Sequence, residues 1–413
     1  MTSSAAKTTR AEAERYSAWS ETIGSTLMDS WKRKLRMGMV GGGQGAFIGG
    51  VHRMAAALGQ QIELVAGCFS RDAQNTQETG KQLYLDPARC YETFEDMATK
   101  EAALPEDRRV DFVTIVTPNV SHFPIAKTFL EAGFHIVCDK PMTYTLEEAQ
   151  QLAQIVEKTG RVFALTHNYT GHPLIRHARH LFQSGELGVV RKVILEYLQD
   201  FLMVPHEKLG QKQAAWRVDP AQSGIGGTLG DVGTHAVNLL EYVTGDPISE
   251  LCADKSTFLP DRTLEEDVNA LLRFQGGGKG VLTISQVATG EENDLKLRIY
   301  ASKGAVHWAQ EDPNQLEVWR YGEPRRVLKP GQGYLSSAAA DISRIPQGHP
   351  EGYLEAFATI YCGFVQAVRR SLDGNAMAPE EYDFPTVHDG VRGMQFIYKA
   401  VESCEKGSTW VQM

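Results

Sequence analysis

From residue 35 the chain alternates two hydrophobic periods. Residues 35–40 form a short, mostly apolar run ending at a glycine, as a strand buried on both faces does. From Ile48 on, Val51, Met54, Ala55 and Leu58 recur at helical spacing. The pair of signals then repeats. Residues 62–69 predict a second strand, and residues 72–84 a polar helix opening after Ser70, its expected cap. Residues 110–116 predict a third strand, followed by a helix over 122–132 closed by Gly133. A fourth strand is expected at 135–138 and a fifth at 162–166. Between them, residues 145–159 place Leu146, Ala149, Leu152, Ala153 and Val156 on one helical face. Such alternation predicts a doubly wound parallel sheet with right-handed crossovers.

After 170 the pattern changes. Residues 174–182 are helical and stop at Gly185, residues 189–197 alternate as a long strand, and a polar loop runs to about 227. A helix over roughly 232–243 ends at Gly245. Strands then recur without helices between them, at 267–274, 280–287, 296–300, 306–308 and 315–319, which predicts an antiparallel or mixed sheet. Residues 351–370 and 386–406 are expected helices. The first 34 residues read as an appended arm with short helices at 11–19 and 23–31. Its Trp19, Leu27, Met28 and Trp31 could pack on the body or on another subunit. The expected divisions are 1–34, 35–168 and 169–413.

A chain of 413 residues is long enough for two or three domains with real cores. A net charge of -9 argues against a nucleic-acid or anionic-membrane partner. No apolar run reaches membrane-spanning length, and the first 34 residues lack a signal-peptide core, so the cytoplasm is the expected location. The 6 cysteines stand singly with no CxxC pair, so reduced buried thiols are expected rather than a disulfide framework or a metal site.

In an open parallel sheet, ligands bind beyond the carboxyl ends of the strands. The first end carries a glycine turn in which Gly41, Gly43 and Ala46 fit GxGxxA. Alternatively Gly49 is the third glycine and three residues are inserted. Phe47 and Ile48 open the following helix, whose amides would face a phosphate. The second end carries Ser70 and Arg71. A hydroxyl beside a guanidinium suits a 2′-phosphate, so the reading leans to NADP over NAD; Asp72 stands one step late for a ribose. The third end carries Thr117, Pro118 and Asn119, with His122 one turn later. Thr117 and Asn119 could reach a nicotinamide ribose, and a plain cap at Asn119 or Ser121 explains them equally well. The fourth carries Asp139, Lys140 and Pro141. Beside a positively charged nicotinamide, Lys140 would resist taking a proton and could act near neutral pH.

The densest constellation is Gly226-Gly227-Thr228-Leu229-Gly230-Asp231-Val232-Gly233-Thr234-His235. Asp231 and His235 stand four apart at a helix start, hence on one face. A carboxylate there would orient the imidazole and raise its basicity. A simple cap at Asp231 is the plain alternative. His167 and His172 flank Asn168 and Tyr169 just past the fifth strand, where they could line the pocket. His177 and His180 read as solvated helix positions, and His349 as a loop cap.

Over nearly all of residues 35–413 the chain resembles the Gfo/Idh/MocA oxidoreductases, the glucose–fructose oxidoreductase and inositol dehydrogenase superfamily. The resemblance rests on the glycine loop followed by His52, on Thr117-Pro118-Asn119 with His122, and on Asp139-Lys140-Pro141. It rests also on Trp216-Arg217 ahead of the Asp231-x-Gly-x-His235 block. It implies a Rossmann-type doubly wound parallel sheet followed by an α+β domain with an open, mostly antiparallel sheet. That sheet often forms a subunit interface, so a dimer or tetramer is expected. It also implies NAD(P)-dependent hydride transfer at a carbon of a small-molecule sugar, cyclitol or polyol. His235 would be the general base, Asp231 would orient and tune it, and Lys140 would hydrogen-bond the reacting oxygen. Asn168, Tyr169, Trp216 and Arg217 would hold the substrate. Asp139 stands where the family commonly has Glu, Asn238 where it commonly has Asp, and no Arg precedes Pro173. The alternatives are a glycosidase using bound NAD for transient oxidation, and a non-catalytic dinucleotide-binding sensor.

Overall fold

The computed structural model describes residues 33–413, so the two helices expected in the N-terminal arm lie outside the described residues. Five strands form the first sheet: β1 (Leu35–Gly41), β2 (Ile62–Cys68), β3 (Phe112–Val116), β4 (His135–Cys138) and β5 (Phe163–Leu165). They run parallel in the order β2-β1-β3-β4-β5. The reversal of order between β1 and β3 opens a crevice at their carboxyl ends. Crossovers are α1 (Phe47–Leu58), α2 (Ala73–Gln82) with α3 (Phe94–Ala102), α4 (His122–Glu131) and α5 (Leu146–Thr159). The cap of α2 is Asp72 rather than Ser70. Its carboxylate accepts from the Gln74 and Asn75 amides, while Ser70 Oγ accepts from the Asp72 amide. Sequence patterning missed α3 because few of its residues are apolar. It is anchored by Met97 and Ala98 and by Glu101, a fully enclosed carboxylate bound by Arg89, Tyr91 and the Val110 amide.

The second sheet has nine strands in the order β13-β12-β11-β10-β6-β9-β8-β7-β14. These are β6 (Val190–Leu198), β7 (Ile248–Ser256), β8 (Asp267–Phe274), β9 (Lys279–Ser285), β10 (Asp294–Ala301), β11 (Gly304–Ala309), β12 (Leu316–Arg320), β13 (Arg326–Leu328) and β14 (Val411–Gln412). All neighbours pair antiparallel except β6 and β9, which are parallel at the centre. β7 was not foreseen: Ser249, Glu250, Asp254 and Lys255 interrupt its apolar alternation. α6 (Pro173–Gln183), α7 (Thr234–Thr244) and α9 (Val387–Glu405) lie on one side of this sheet, α7 against β6 and α9 against β7.

α8 (Tyr353–Leu372) crosses back to the first sheet. Its Phe357, Tyr361, Phe364 and Val368 pack with Leu35, Met39, Phe112 and Val137, alongside α1. One face of the parallel sheet is therefore completed by sequence some two hundred residues downstream. Among the described residues, no helix is long and apolar enough to cross a membrane.

Buried histidines recur through both layers. Burial lowers the His135 and His172 imidazoles to about 3, and lowers His52 and His122 in the same direction. A folded-state value below the unfolded one makes stability complete above about pH 6.5, and lost progressively as pH falls toward the folded value. Burial raises Glu265 and Glu351 and so opposes this, but with fewer groups. Urea unfolding at pH 7 and pH 5 is expected to differ by ~2 kcal/mol or more, the lower pH being less stable. Equal midpoints at unchanged slope would contradict neutral burial of these rings.

Candidate active site

A cleft of about 1380 Å³ runs along the carboxyl ends of the first sheet and opens against β6, β10 and α7. Its floor at one end is the glycine loop. Gly41 and Gly42 hold φ of +86° and +74°, which only glycine adopts without strain. A Cβ on Gly49 would stand 2.4 Å from the Gly42 Cα. Gly49 is thus the glycine that lets the helix approach the turn just after the strand, at the position the inserted reading gives the third glycine. Ala46 is instead the cap residue of α1. The inserted turn is held from below: the Gln44 amide lies 3.2 Å from Asn75 Oδ1 and 3.1 Å from Thr79 Oγ1. No side chain caps α1, so its positive end, with Ala46, Phe47 and Ile48, faces the cleft. That suits a dinucleotide pyrophosphate.

At the second strand end, Ser70 and Arg71 line the cleft while the Asp72 carboxylate is spent on α2. At the third, Thr117 and Pro118 line it, but Asn119 and His122 do not. Asn119 is buried and donates to the Ser223 carbonyl at 3.0 Å. His122 is buried between the Thr117 and Pro141 carbonyls, at 2.7 and 2.9 Å, and ties the third strand end to the fourth. Both side chains thus support the loops that line the cleft.

Lys140 leaves β4 into the centre of the cleft. Its ammonium donates to Asp231 Oδ1 at 2.9 Å and to the Asp231 carbonyl at 2.6 Å. Asp231 Oδ2 accepts from Arg217 Nε at 3.1 Å and Gln286 Nε2 at 3.0 Å. Burial favours the neutral acid, yet Arg217 and Lys140 overcome it and hold Asp231 well below the usual carboxylate range. Asp139 accepts from Thr166 Oγ1 at 2.8 Å and from the Lys140 amide at 2.9 Å, which fixes the Lys140 backbone.

His235 departs from expectation. Residues Leu229–Gly233 form a π-helical turn, which breaks the four-residue register that would pair Asp231 with His235. Among the described residues no hydrogen bond joins them, and Asp231 grips Lys140 and Arg217 instead. His235 Nδ1 faces His167 Nδ1 at 3.4 Å, and the Tyr169 ring lies 4.9 Å from its ring. Burial, Lys140 and His167 push the His235 imidazole well down; Asp231 only partly offsets them. The ring is therefore neutral, not more basic.

The opposite wall is an uncharged network. Tyr169 and Tyr197 hydroxyls meet at 2.8 Å, Tyr197 donates to Asn293 Oδ1 at 2.8 Å, and Asn293 Nδ2 donates to Tyr169 at 3.2 Å. Gln199 joins Asn293 at 2.7 Å, and Gln286 joins Gln199 at 3.0 Å, which leads back to Asp231. Trp216 lines the cleft under the Arg217 guanidinium, 4.4 Å from its ring. Asn168 is buried away from the cleft lining. Sequence reasoning missed Tyr197, Gln199, Gln286, Asn293 and Tyr353. Alternation along β6 puts Tyr197 inward with Val193 and Leu195, but its partners depend on strand pairing. His177 is buried, not solvated, and accepts from the Ser336 amide at 3.1 Å. His349 stays in an exposed turn.

Known proteins are similar to this chain in sequence and fold. Residues 35–167 match the model of an oxidoreductase family with an NAD-binding Rossmann fold, and residues 175–307 match the GFO/IDH/MocA C-terminal domain. An uncharacterised oxidoreductase of Bacillus subtilis, YfiI, is 32% identical over 384 residues, covering 92% of this chain and 97% of that one. The levoglucosan dehydrogenase of Pseudarthrobacter phenanthrenivorans is 26% identical over 309 residues, covering 69% and 76%. An inositol dehydrogenase homologue from Azotobacter vinelandii, solved with NAD+, superposes with a TM-score of 0.89 at 38% identity, covering 92% and 98%. The same homologue has been solved with NADH and myo-inositol, at a TM-score of 0.87.

Replacing Gly49 by Val should force α1 away from the turn that follows β1. Dinucleotide affinity is expected to fall roughly tenfold or more, and stability by about 1–3 kcal/mol. Calorimetric titration with NAD+ and urea unfolding of the same variant check this, and wild-type binding would show that Gly42 and Gly49 need not touch.

Proposed function

We propose that this chain, which belongs to the Gfo/Idh/MocA oxidoreductase family, moves a hydride between a nicotinamide dinucleotide and a secondary alcohol or ketone carbon of a cyclitol, sugar or related polyol. The observation that carries the reading is the convergence of Lys140, Asp231 and a neutral His235 where the cofactor cleft meets the wall of tyrosine and amide side chains. The uncharged network supports a substrate recognised through hydroxyls. The two cations in the centre are already met by Asp231, so none is free to call for a phosphate or carboxylate.

The bound nicotinamide supplies hydride acceptance and return. The protein does the rest. Neutral His235 takes the hydroxyl proton, a role that needs the unprotonated ring burial enforces. Lys140 donates to the reacting oxygen and steadies its developing negative charge. Asp231 holds the Lys140 ammonium in place and keeps it charged. Thr117 and Pro118 at the third strand end, with Asp139 at the fourth, support the ribose side. The α1 terminus would hold the pyrophosphate, while Gly41 and Gly43 let the loop lie close against Val116 and Thr117 and against Phe69 and Asn75. Tyr169, Trp216 and Arg217 shape the substrate end.

Ser70 and Arg71, with Asp72 turned away, support acceptance of NADP and favour it over NAD. The solved homologue holds NAD+, and Arg71 is the side chain through which this chain would take NADP instead. The face of the second sheet away from α7 and α9 carries Ile194, Leu271, Tyr300 and Trp319, which supports a dimer or tetramer formed through it.

Lys140→Ala should lower turnover roughly 10²-fold or more and change dinucleotide affinity only a few-fold. Steady-state rates with NAD+ or NADP+ across a panel headed by myo-inositol, beside titration of each cofactor, read both. Loss of cofactor binding with chemistry intact would reverse the roles. Arg71→Asp should weaken NADP more than NAD; equal effects would leave Arg71 a surface charge.

A further inference from the structure

His167 ends the turn after β5 and has no task in the chemistry above. It is enclosed, its amide donates to the Leu165 carbonyl at 3.0 Å, and its own carbonyl accepts from Thr170 Oγ1 at 2.9 Å. Its ring stands edge-on to that of His235, with centroids 5.1 Å apart at 77°. The Nδ1–Nδ1 separation is 3.4 Å, and among the described residues the His235 ring makes no other hydrogen bond.

Burial and Lys140 push His167 down to about 3, so both rings are neutral. A neutral imidazole carries one N–H. The contact is therefore a hydrogen bond only when one ring donates from Nδ1 and the other accepts there. The two directions have opposite consequences. If His235 accepts, its proton sits on Nε2 and that nitrogen has no lone pair to give. If His235 donates, Nε2 is bare and can act as a base. Asp231 is not available to choose between them, because Lys140, Arg217 and Gln286 occupy its oxygens.

We propose that His167 is a positioning residue: it accepts the Nδ1 hydrogen of His235, keeps the Nε2 lone pair open to the substrate hydroxyl, and holds that bond while His235 takes up the proton. The inference rests on the base role given to His235. In the step, the substrate O–H bond breaks and an N–H bond forms at His235 Nε2. The hydride leaves carbon for the nicotinamide, and His167 changes neither charge nor proton count. The groups facing the pair are Lys140 and Asp139 from the end of β4, Asp231 from the π-helical turn, and Tyr169 from the turn after β5.

Histidine-labelled full-length chain, without added ligand, tests this by NMR of the ring nitrogens, with His235→Asn assigning the signals. Wild type should show His235 protonated at Nδ1. His167→Asn should keep that form, because its carboxamide oxygen can accept in the same place. His167→Leu should shift His235 toward Nε2–H. His167→Asp should raise the pH at which His235 titrates by about one unit or more. An Nε2–H form in wild type, or identical His235 signals in the Asn, Leu and Asp variants, would overturn the proposal. Hydride transfer retained by His235→Asn would instead remove the base reading, and the tautomer result stands apart from it.

Discussion

One buried carboxylate holds the centre of the molecule together. Asp231 comes from the π-helical turn before α7, Lys140 from just beyond β4, Arg217 from the end of a short helix (Lys212–Arg217) after β6, and Gln286 from just beyond β9. Burial alone would protonate Asp231; two cations and an amide reverse that. Taking such charges out of water costs several kcal/mol per ion, and only close, complete pairing offsets it. Each partner therefore depends on the others. The parallel sheet and the mixed sheet meet where this pairing is satisfied, and the cleft takes its shape from that meeting.

From this centre the cleft is divided by charge. Toward the glycine loop, the α1 terminus and Arg71 present positive character to an anionic cofactor. Toward β6 and β10, phenols and carboxamides satisfy one another without a formal charge. Such a network stays ordered because every member has a partner, and it can exchange a bond for a ligand hydroxyl at little electrostatic cost. Neutral His235 belongs to this side. Lys140 sits so near that a second positive charge on the imidazole would be opposed, and burial adds to that opposition. A charged lysine and a neutral histidine side by side divide hydrogen-bond donation from proton acceptance.

The same economy appears in the scaffold. His122 sets its ring between carbonyls of two neighbouring loops and, being neutral, donates to one of them, and Asp72 spends its carboxylate on a helix start. Residues that look chemical at a strand end can be structural, and their geometry rather than their type tells which. α8 makes a related point at larger scale. The first sheet cannot bury its second face without Phe357, Tyr361 and Phe364, so its core is shared with the end of the chain.

Much of this was legible from local pattern. Strand–helix alternation, the glycine loop, Lys140 at a strand tip and the Asp231–His235 block are short-range features, because periodicity and turn chemistry act over a few residues. The parallel first sheet, and the change after 170 to an antiparallel or mixed one, followed from the same rules. What pattern could not decide were contacts between distant segments. Whether Ala46 or Gly49 comes against the turn after β1 depends on where α1 lies. Whether Asp231 holds His235 or Lys140 depends on a π-helical turn that periodicity does not encode. Tyr197, Gln286 and Asn293 became site residues only through the pairing of β6 with β9 and β10. Hydrophobic spacing determines which face of an element is buried; which residues meet across that burial is set by packing between elements, and there the sequence alone is silent.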